Sequence, residues 1–77
     1  KHINDLREAC ANVLNASAVH LANSAQNMAS YDRYGACNNL RTAESYLVEA
    51  YALAPNDMNI YRNLLQVRQV KAAIYCP

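Results

Sequence analysis

The side chains of this 77-residue chain that could carry chemistry are few and widely separated. His2 and His20 are its two histidines, and neither forms a short-spaced pair with Cys, Asp or Glu of the kind that metal sites use. Cys10, Cys37 and Cys76 form no C-x-x-C motif and lie in no local nucleophile signature. We therefore predict no metal site, no cofactor and no catalytic residue.

The rest of the composition also argues against an enzyme. Two histidines and six carboxylates cannot be assembled into a base, a nucleophile and an orienting group without arbitrary choices. The formal charge is +1 and only 17% of residues are charged, whereas phosphate neutralisation needs clustered Lys and Arg. Nucleic acid is thus not expected as the main partner. No run of about eighteen apolar residues occurs, so we expect no membrane span.

The elements that must position these side chains are helices. Fourteen alanines stand beside one glycine and two prolines, with no Phe or Trp, so the best helix former dominates while strand formers and turn residues are scarce. Seventy-seven residues fit a single domain, which we place at residues 1–77. The composition predicts an all-α fold.

The segment from Ile3 to Ser30 has the apolar spacing of one long helix. Asp5 followed by Glu8 resembles a capping box at its start. Asn23 could instead begin a second helix, which would break the segment near that residue and give four helices in all. We favour the unbroken helix, because it places a seven-residue apolar series on one side, namely Leu14, Leu21 and Met28.

A chain reversal is predicted between Ser30 and Asn39, the segment with the only glycine. A second helix should then run from about Leu40 to Ala54, where Pro55 ends it. Asn56 or Asp57 can cap a third helix, whose apolar face is Ile60, Leu64, Val67, Val70 or Lys71, and Ile74. The sequence therefore predicts a small antiparallel bundle of three principal helices.

Helix direction lets the cysteines distinguish the two architectures. With three antiparallel helices, Cys37 lies near Cys76, and a disulfide would tie down the last helix. With a break near Asn23, Cys10 comes level with Cys37 instead. Three cysteines are compatible with two locations of the protein. In an oxidising compartment one disulfide would form, and in the cytosol all three would remain thiols. We favour export (periplasmic or secreted), because a chain this small gains most from a covalent cross-link.

The second predicted helix also belongs to a weak internal repeat. An offset of 34 residues aligns the stretch beginning at Leu6 with the stretch from Leu40 to Pro55. In the second copy the matching positions are Ala43, Leu47, Ala50 and Pro55. This spacing of small, large, small and helix-ending residues resembles the tetratricopeptide family. The resemblance implies a helical hairpin that holds a peptide, with the concave side formed by residues that include Arg62, Gln66 and Gln69.

Two stretches are candidate contact surfaces. Tyr31, Asp32 and Tyr34 form a compact polar and aromatic cluster beside the glycine, which resembles a recognition loop. The last helix is the most basic element, with Arg62, Arg68 and Lys71 suited to an acidic protein. We predict partner-binding residues in both stretches, namely Tyr31, Asp32, Tyr34, Arg62, Gln66 and Gln69.

These observations predict a non-enzymatic protein-interaction module. One hypothesis is a small inhibitor or immunity-type protein that covers a partner's surface. The alternative is a tetratricopeptide-like adaptor, chaperone or secretion accessory protein that holds a peptide. The partner would be a protein, acidic if the basic helix binds it, and association of the chain with itself is open as well.

Overall fold

A computed structural model describes the backbone from residue 2 and the side chains from residue 5 to the end of the chain. Three helices follow one another as α1 (His2–Met28), α2 (Arg33–Leu53) and α3 (Met58–Ala73), with no strand in the described part. They run antiparallel, and α2 packs along both neighbours, whereas α1 and α3 meet only over a short stretch. The bundle measures 46 × 16 × 15 Å. The predicted all-α bundle of three principal helices is confirmed.

The core pairs small residues of α1 with large residues of the other helices. Three alanines at heptad spacing, Ala11, Ala18 and Ala25, are completely buried along α1. Leu40, Leu47 and Ile60 are the largest aliphatic side chains that are fully enclosed. Alanine lets α1 approach α2 closely, so the leucines fill the space between the two backbones. The same continuous packing explains why α1 does not break at Asn23.

The start of α2 differs from the prediction. The helix begins at Arg33, seven residues before Leu40, because the Asp32 carboxylate caps it and accepts from the Gly35 backbone N–H at 2.9 Å. Gly35 lies inside the first turn with negative φ, and a Cβ there would collide with the Asp32 carboxylate and stand 2.7 Å from Met28 Cε. The glycine therefore permits a close approach. The reversal itself needs only residues 29–32.

The other helix ends follow local chemistry more closely. Asp57 caps α3 by accepting from the N–H groups of Asn59 and Ile60, at 3.0 and 3.4 Å. Leu53 is the last residue of α2, two residues before Pro55. The capping box predicted for Asp5 is wrong, because α1 already begins at His2 and Asp5 lies in its first turn.

A disulfide joins the beginning of α2 to the end of α3. Cys37 and Cys76 have Cα atoms 5.5 Å apart and are separated by 39 residues in the sequence. This confirms the pairing predicted for three antiparallel helices. Cys10 is an exposed free thiol on the first half of α1, at the opposite end of the bundle, because α1 is unbroken.

Candidate interaction surface

One end of the bundle presents three exposed tyrosines, and we call it the tyrosine end. Tyr31 lies in the α1–α2 reversal and Tyr34 in the first turn of α2, with exposed fractions of 78% and 76%. Tyr75 follows α3 and is 80% exposed. Antiparallel order brings these segments together, because α2 begins where α3 ends. The predicted pair Tyr31 and Tyr34 thus gains a third aromatic neighbour.

Tyr75 owes its exposure to an unusual helix ending. The Cys76 N–H donates to the Lys71 carbonyl at 2.9 Å, and the Tyr75 N–H donates to the Ala72 carbonyl at 3.2 Å. This pair of bonds is the Schellman motif, in which the residue after the cap adopts positive φ and is usually glycine. Here that residue is Tyr75, with φ of 59°. A residue other than glycine in this backbone conformation lowers the folding stability by about 1–2 kcal/mol.

The disulfide fixes the two sides of the tyrosine end to each other. Tyr34 lies one helical turn before Cys37, and Tyr75 is the neighbour of Cys76. With 5.5 Å between the cysteine Cα atoms, the Cα atoms of Tyr34 and Tyr75 are at most about 15 Å apart. The tyrosine rings therefore project from one covalently braced support.

Asp32 is less exposed than the tyrosines beside it, and its side chain takes part in the fold. Its side chain is partly buried, and one carboxylate oxygen is occupied by the cap of α2. Removal of this carboxylate would therefore disturb the helix that carries Tyr34. Asp32 positions the tyrosine end, whereas the rings of Tyr31 and Tyr34 are the groups open to a partner.

The three residues predicted on α3 lie along the length of the helix, with Arg62 farthest from the tyrosine end and Gln69 six residues before Tyr75. Arg62, Gln66 and Gln69 are all exposed and share one face of the helix, at steps of four and three. Because α3 runs toward the disulfide, Arg62 is level with the far part of α2. The structure therefore divides the predicted contact residues into two groups, one at the tyrosine end and one along α3.

A shallow groove runs between α1 and α3 beside this face. The two helices are bridged where Asn63 Nδ2 donates to Asn15 Oδ1 at 2.9 Å. From there the groove extends toward the disulfide, between residues 18–26 of α1 and residues 63–70 of α3, with Leu47 at its base. Among the described residues, no charged side chain lines it, and four carboxamides do, namely Asn23, Gln26, Asn63 and Gln66.

The basic face predicted for α3 is partly neutralised by one carboxylate of α2. Arg68 Nε donates to Glu44 Oε2 at 2.8 Å, and Lys71 Nζ donates to Glu44 Oε1. The hydrogen bond from Lys71, and then that from Arg68, lowers the pKa of the Glu44 carboxyl below its ordinary value, against the opposing effect of burial. In the described part of the chain, Arg62 is the one cation of α3 without an ion pair.

The histidine and the free cysteine whose side chains are described lie on the surface of α1. His20 and Cys10 are both exposed on α1, and the side chain of His2 lies outside the described residues. Among the described residues, no three His, Cys, Asp or Glu side chains are grouped so that they could hold a metal ion. No described helix combines the length and the apolar character needed to cross a membrane.

Tyr75 is the surface residue that the sequence interpretation missed. Nothing local marks it, because the glycine that usually signals a Schellman ending is absent from residues 70–77. Its proximity to Cys76 becomes informative only once the disulfide partner is known.

Comparison of the chain with protein-family models, with curated proteins and with solved structures finds no match.

Proposed function

We propose that this chain is a non-enzymatic protein-interaction module that uses its tyrosine end to cover a surface of a partner protein. The observation that carries the proposal is the exposure of Tyr31, Tyr34 and Tyr75, each at least three-quarters open to solvent, on a support braced by a disulfide. Tyrosine rings supply large contact area at low cost in side-chain entropy, and they are enriched at the centres of interfaces.

The backbone of Tyr75 supports the same proposal. A tyrosine at a position that favours glycine lowers the stability of the folded chain. Such costs persist at binding sites, where a strained residue places a functional group. An inhibitor or immunity-type protein would cover the partner's surface with this rigid end. Little conformational entropy is lost on binding when the rings are already held in place.

Site-specific crosslinking tests this proposal. A photoreactive phenylalanine analogue would replace Tyr34 or Tyr75, and the control would carry it in place of Leu6, which is exposed at the opposite end. In extracts of the cells that make the protein, we expect the first two variants to crosslink one stoichiometric protein and the control to crosslink none. Equal labelling from both ends, or none from the tyrosine end, would contradict the proposal.

The α1–α3 groove favours the second candidate, a tetratricopeptide-like adaptor that holds a peptide. Carboxamides both donate and accept hydrogen bonds, so the groove suits the backbone of an uncharged segment. Val19 is 38% exposed at the groove, and a Val19→Arg substitution would obstruct it. An adaptor would lose several clients in this variant, whereas an inhibitor bound through the tyrosine end would keep its single partner.

A further inference from the structure

The charged residues are distributed unevenly along the bundle. The half that contains the disulfide has four cations, namely Arg33, Arg41, Arg68 and Lys71, and two acids, Asp32 and Glu44. The described residues of the opposite half have two cations, Arg7 and Arg62, and four acids, Asp5, Glu8, Glu49 and Asp57. Over the described residues, formal charges of +2 and −2 therefore stand in opposite halves of a molecule that is 46 Å long.

The acids of the disulfide half are already occupied. Asp32 caps α2, and Glu44 accepts from two cations. Arg33 and Arg41 form no salt bridge in the described structure, so their guanidinium groups are the ones left for a carboxylate of a partner. At 0.15 M salt, charges are screened over about 8 Å, so this local excess acts on whatever docks there, and the distant acids do not cancel it.

On the outer side of α2, Arg41 lies on the same helix face as Tyr34. Tyr34, Asn38 and Arg41 follow one another at steps of four and three and so lie on one helix face. Arg41 Nη2 donates to Asn38 Oδ1 at 2.9 Å, which holds the guanidinium along the helix, on the side toward Tyr34. A guanidinium held in this way loses less side-chain entropy when it binds a carboxylate.

We infer that the partner of the tyrosine end is an acidic protein segment whose carboxylates bind Arg33 and Arg41 while its apolar groups contact Tyr31, Tyr34 and Tyr75. The inference rests on the proposed function and specifies its partner. It places the acid-binding groups on α2 and not on the basic face of α3, because Arg68 and Lys71 already share the Glu44 carboxylate there. A carboxylate segment fits better than nucleic acid, since two free arginines neutralise too few phosphates.

Selection from a random peptide library displayed on phage tests the inference with the intact, oxidised chain. We expect the selected peptides to be enriched in Asp and Glu relative to the unselected library. Their binding should weaken as salt is raised, because exposed ion pairs are screened. A double Arg33→Ser/Arg41→Ser variant should raise their Kd by about fivefold or more, in keeping with the modest strength of exposed ion pairs.

A control removes one arginine charge elsewhere. Arg7→Ser changes an exposed arginine in the opposite half and should leave the Kd unchanged. Far-UV circular dichroism should show equal helix content in all variants, since surface changes of this kind have little effect on stability.

Three results would overturn the inference. Peptides that need the tyrosines but show no acidic enrichment would refute the acidic partner while leaving the proposed function intact. Failure of every selected peptide to depend on Tyr34 or Tyr75 would refute both. Head-to-tail self-association in analytical ultracentrifugation, abolished by Arg33→Ser/Arg41→Ser, would show that the acidic end of a second copy is the occupant.

Discussion

Loss of the Cys37–Cys76 disulfide should be the most damaging small change to this fold. Cys76→Ser is the suitable substitution, because Cys76 is partly exposed and can accommodate a polar hydroxyl. Cys37 then remains as a thiol, a buried apolar side chain at 2% exposure. The bond closes a loop of 39 residues. Loop-closure entropy for that length corresponds to about 4 kcal/mol of stability at 25 °C. A domain of this size rarely has more than about 3–5 kcal/mol from its core, so the loss approaches the whole stability.

Urea unfolding followed by circular dichroism measures this loss. With an m-value of about 1 kcal/mol/M for a small chain, the midpoint should fall by about 3–4 M, or the variant should be partly unfolded in buffer. Reductant should lower the midpoint of the parent chain by a similar amount and leave that of Cys76→Ser unchanged.

Cys10→Ser is the matched control. It makes the same chemical change at an exposed free thiol, so its midpoint should stay within about 0.5 M of the parent. A Cys76→Ser midpoint equal to that of the parent, or an equal loss in Cys10→Ser, would refute the reasoning. Mass analysis of non-reduced peptides would show in the same samples which cysteines are joined.

Three further substitutions test the packing, the ion pair and a helix cap. Ala18→Leu should destabilise the fold by about 1–3 kcal/mol in urea unfolding, because Ala18 is fully enclosed, whereas Leu at exposed Ala16 should be neutral. Glu44→Gln should cost about 0.5–1 kcal/mol near pH 7, a value discounted for solvent exposure of the ion pair. The hydrogen bond from Lys71 lowers the pKa of Glu44 in the folded state. The difference in unfolding free energy between the parent chain and Glu44→Gln should therefore shrink as the pH falls through that lowered pKa. A difference that does not change with pH would contradict this origin. Asp57→Ala should cost about 1 kcal/mol through lost capping of α3, and an unchanged melting temperature would exclude that role.

Periodicity and local end signals were enough to predict most of the fold. The seven-residue series along α1 indicated an unbroken helix, because only residues on one helix face recur in that way. Asp57 was recognised as a cap candidate from its position after Pro55. The start of α2 was predicted too late, since Gly35 reads locally as a turn residue. Its actual role depends on how closely Met28 and Asp32 approach it.

The candidate surface was only half predictable. Tyr31 and Tyr34 stood out because they flank a turn, and the structure leaves both of them open to solvent. The sequence of α3 alone shows only its cations, because Glu44, which binds two of them, lies more than twenty residues earlier. The tetratricopeptide resemblance stays a prediction.

Alanine content, the spacing of apolar residues and a few capping groups determined by themselves that this chain forms three helices. These are local properties, because helix formation and termination depend on neighbours within one or two turns. The tyrosine end, where Tyr75 comes near Tyr34 and where Arg33 and Arg41 form no ion pair with the described residues, was decided only by the tertiary structure. Its parts are about forty residues apart in sequence, and only antiparallel packing of α2 against α3 brings them together.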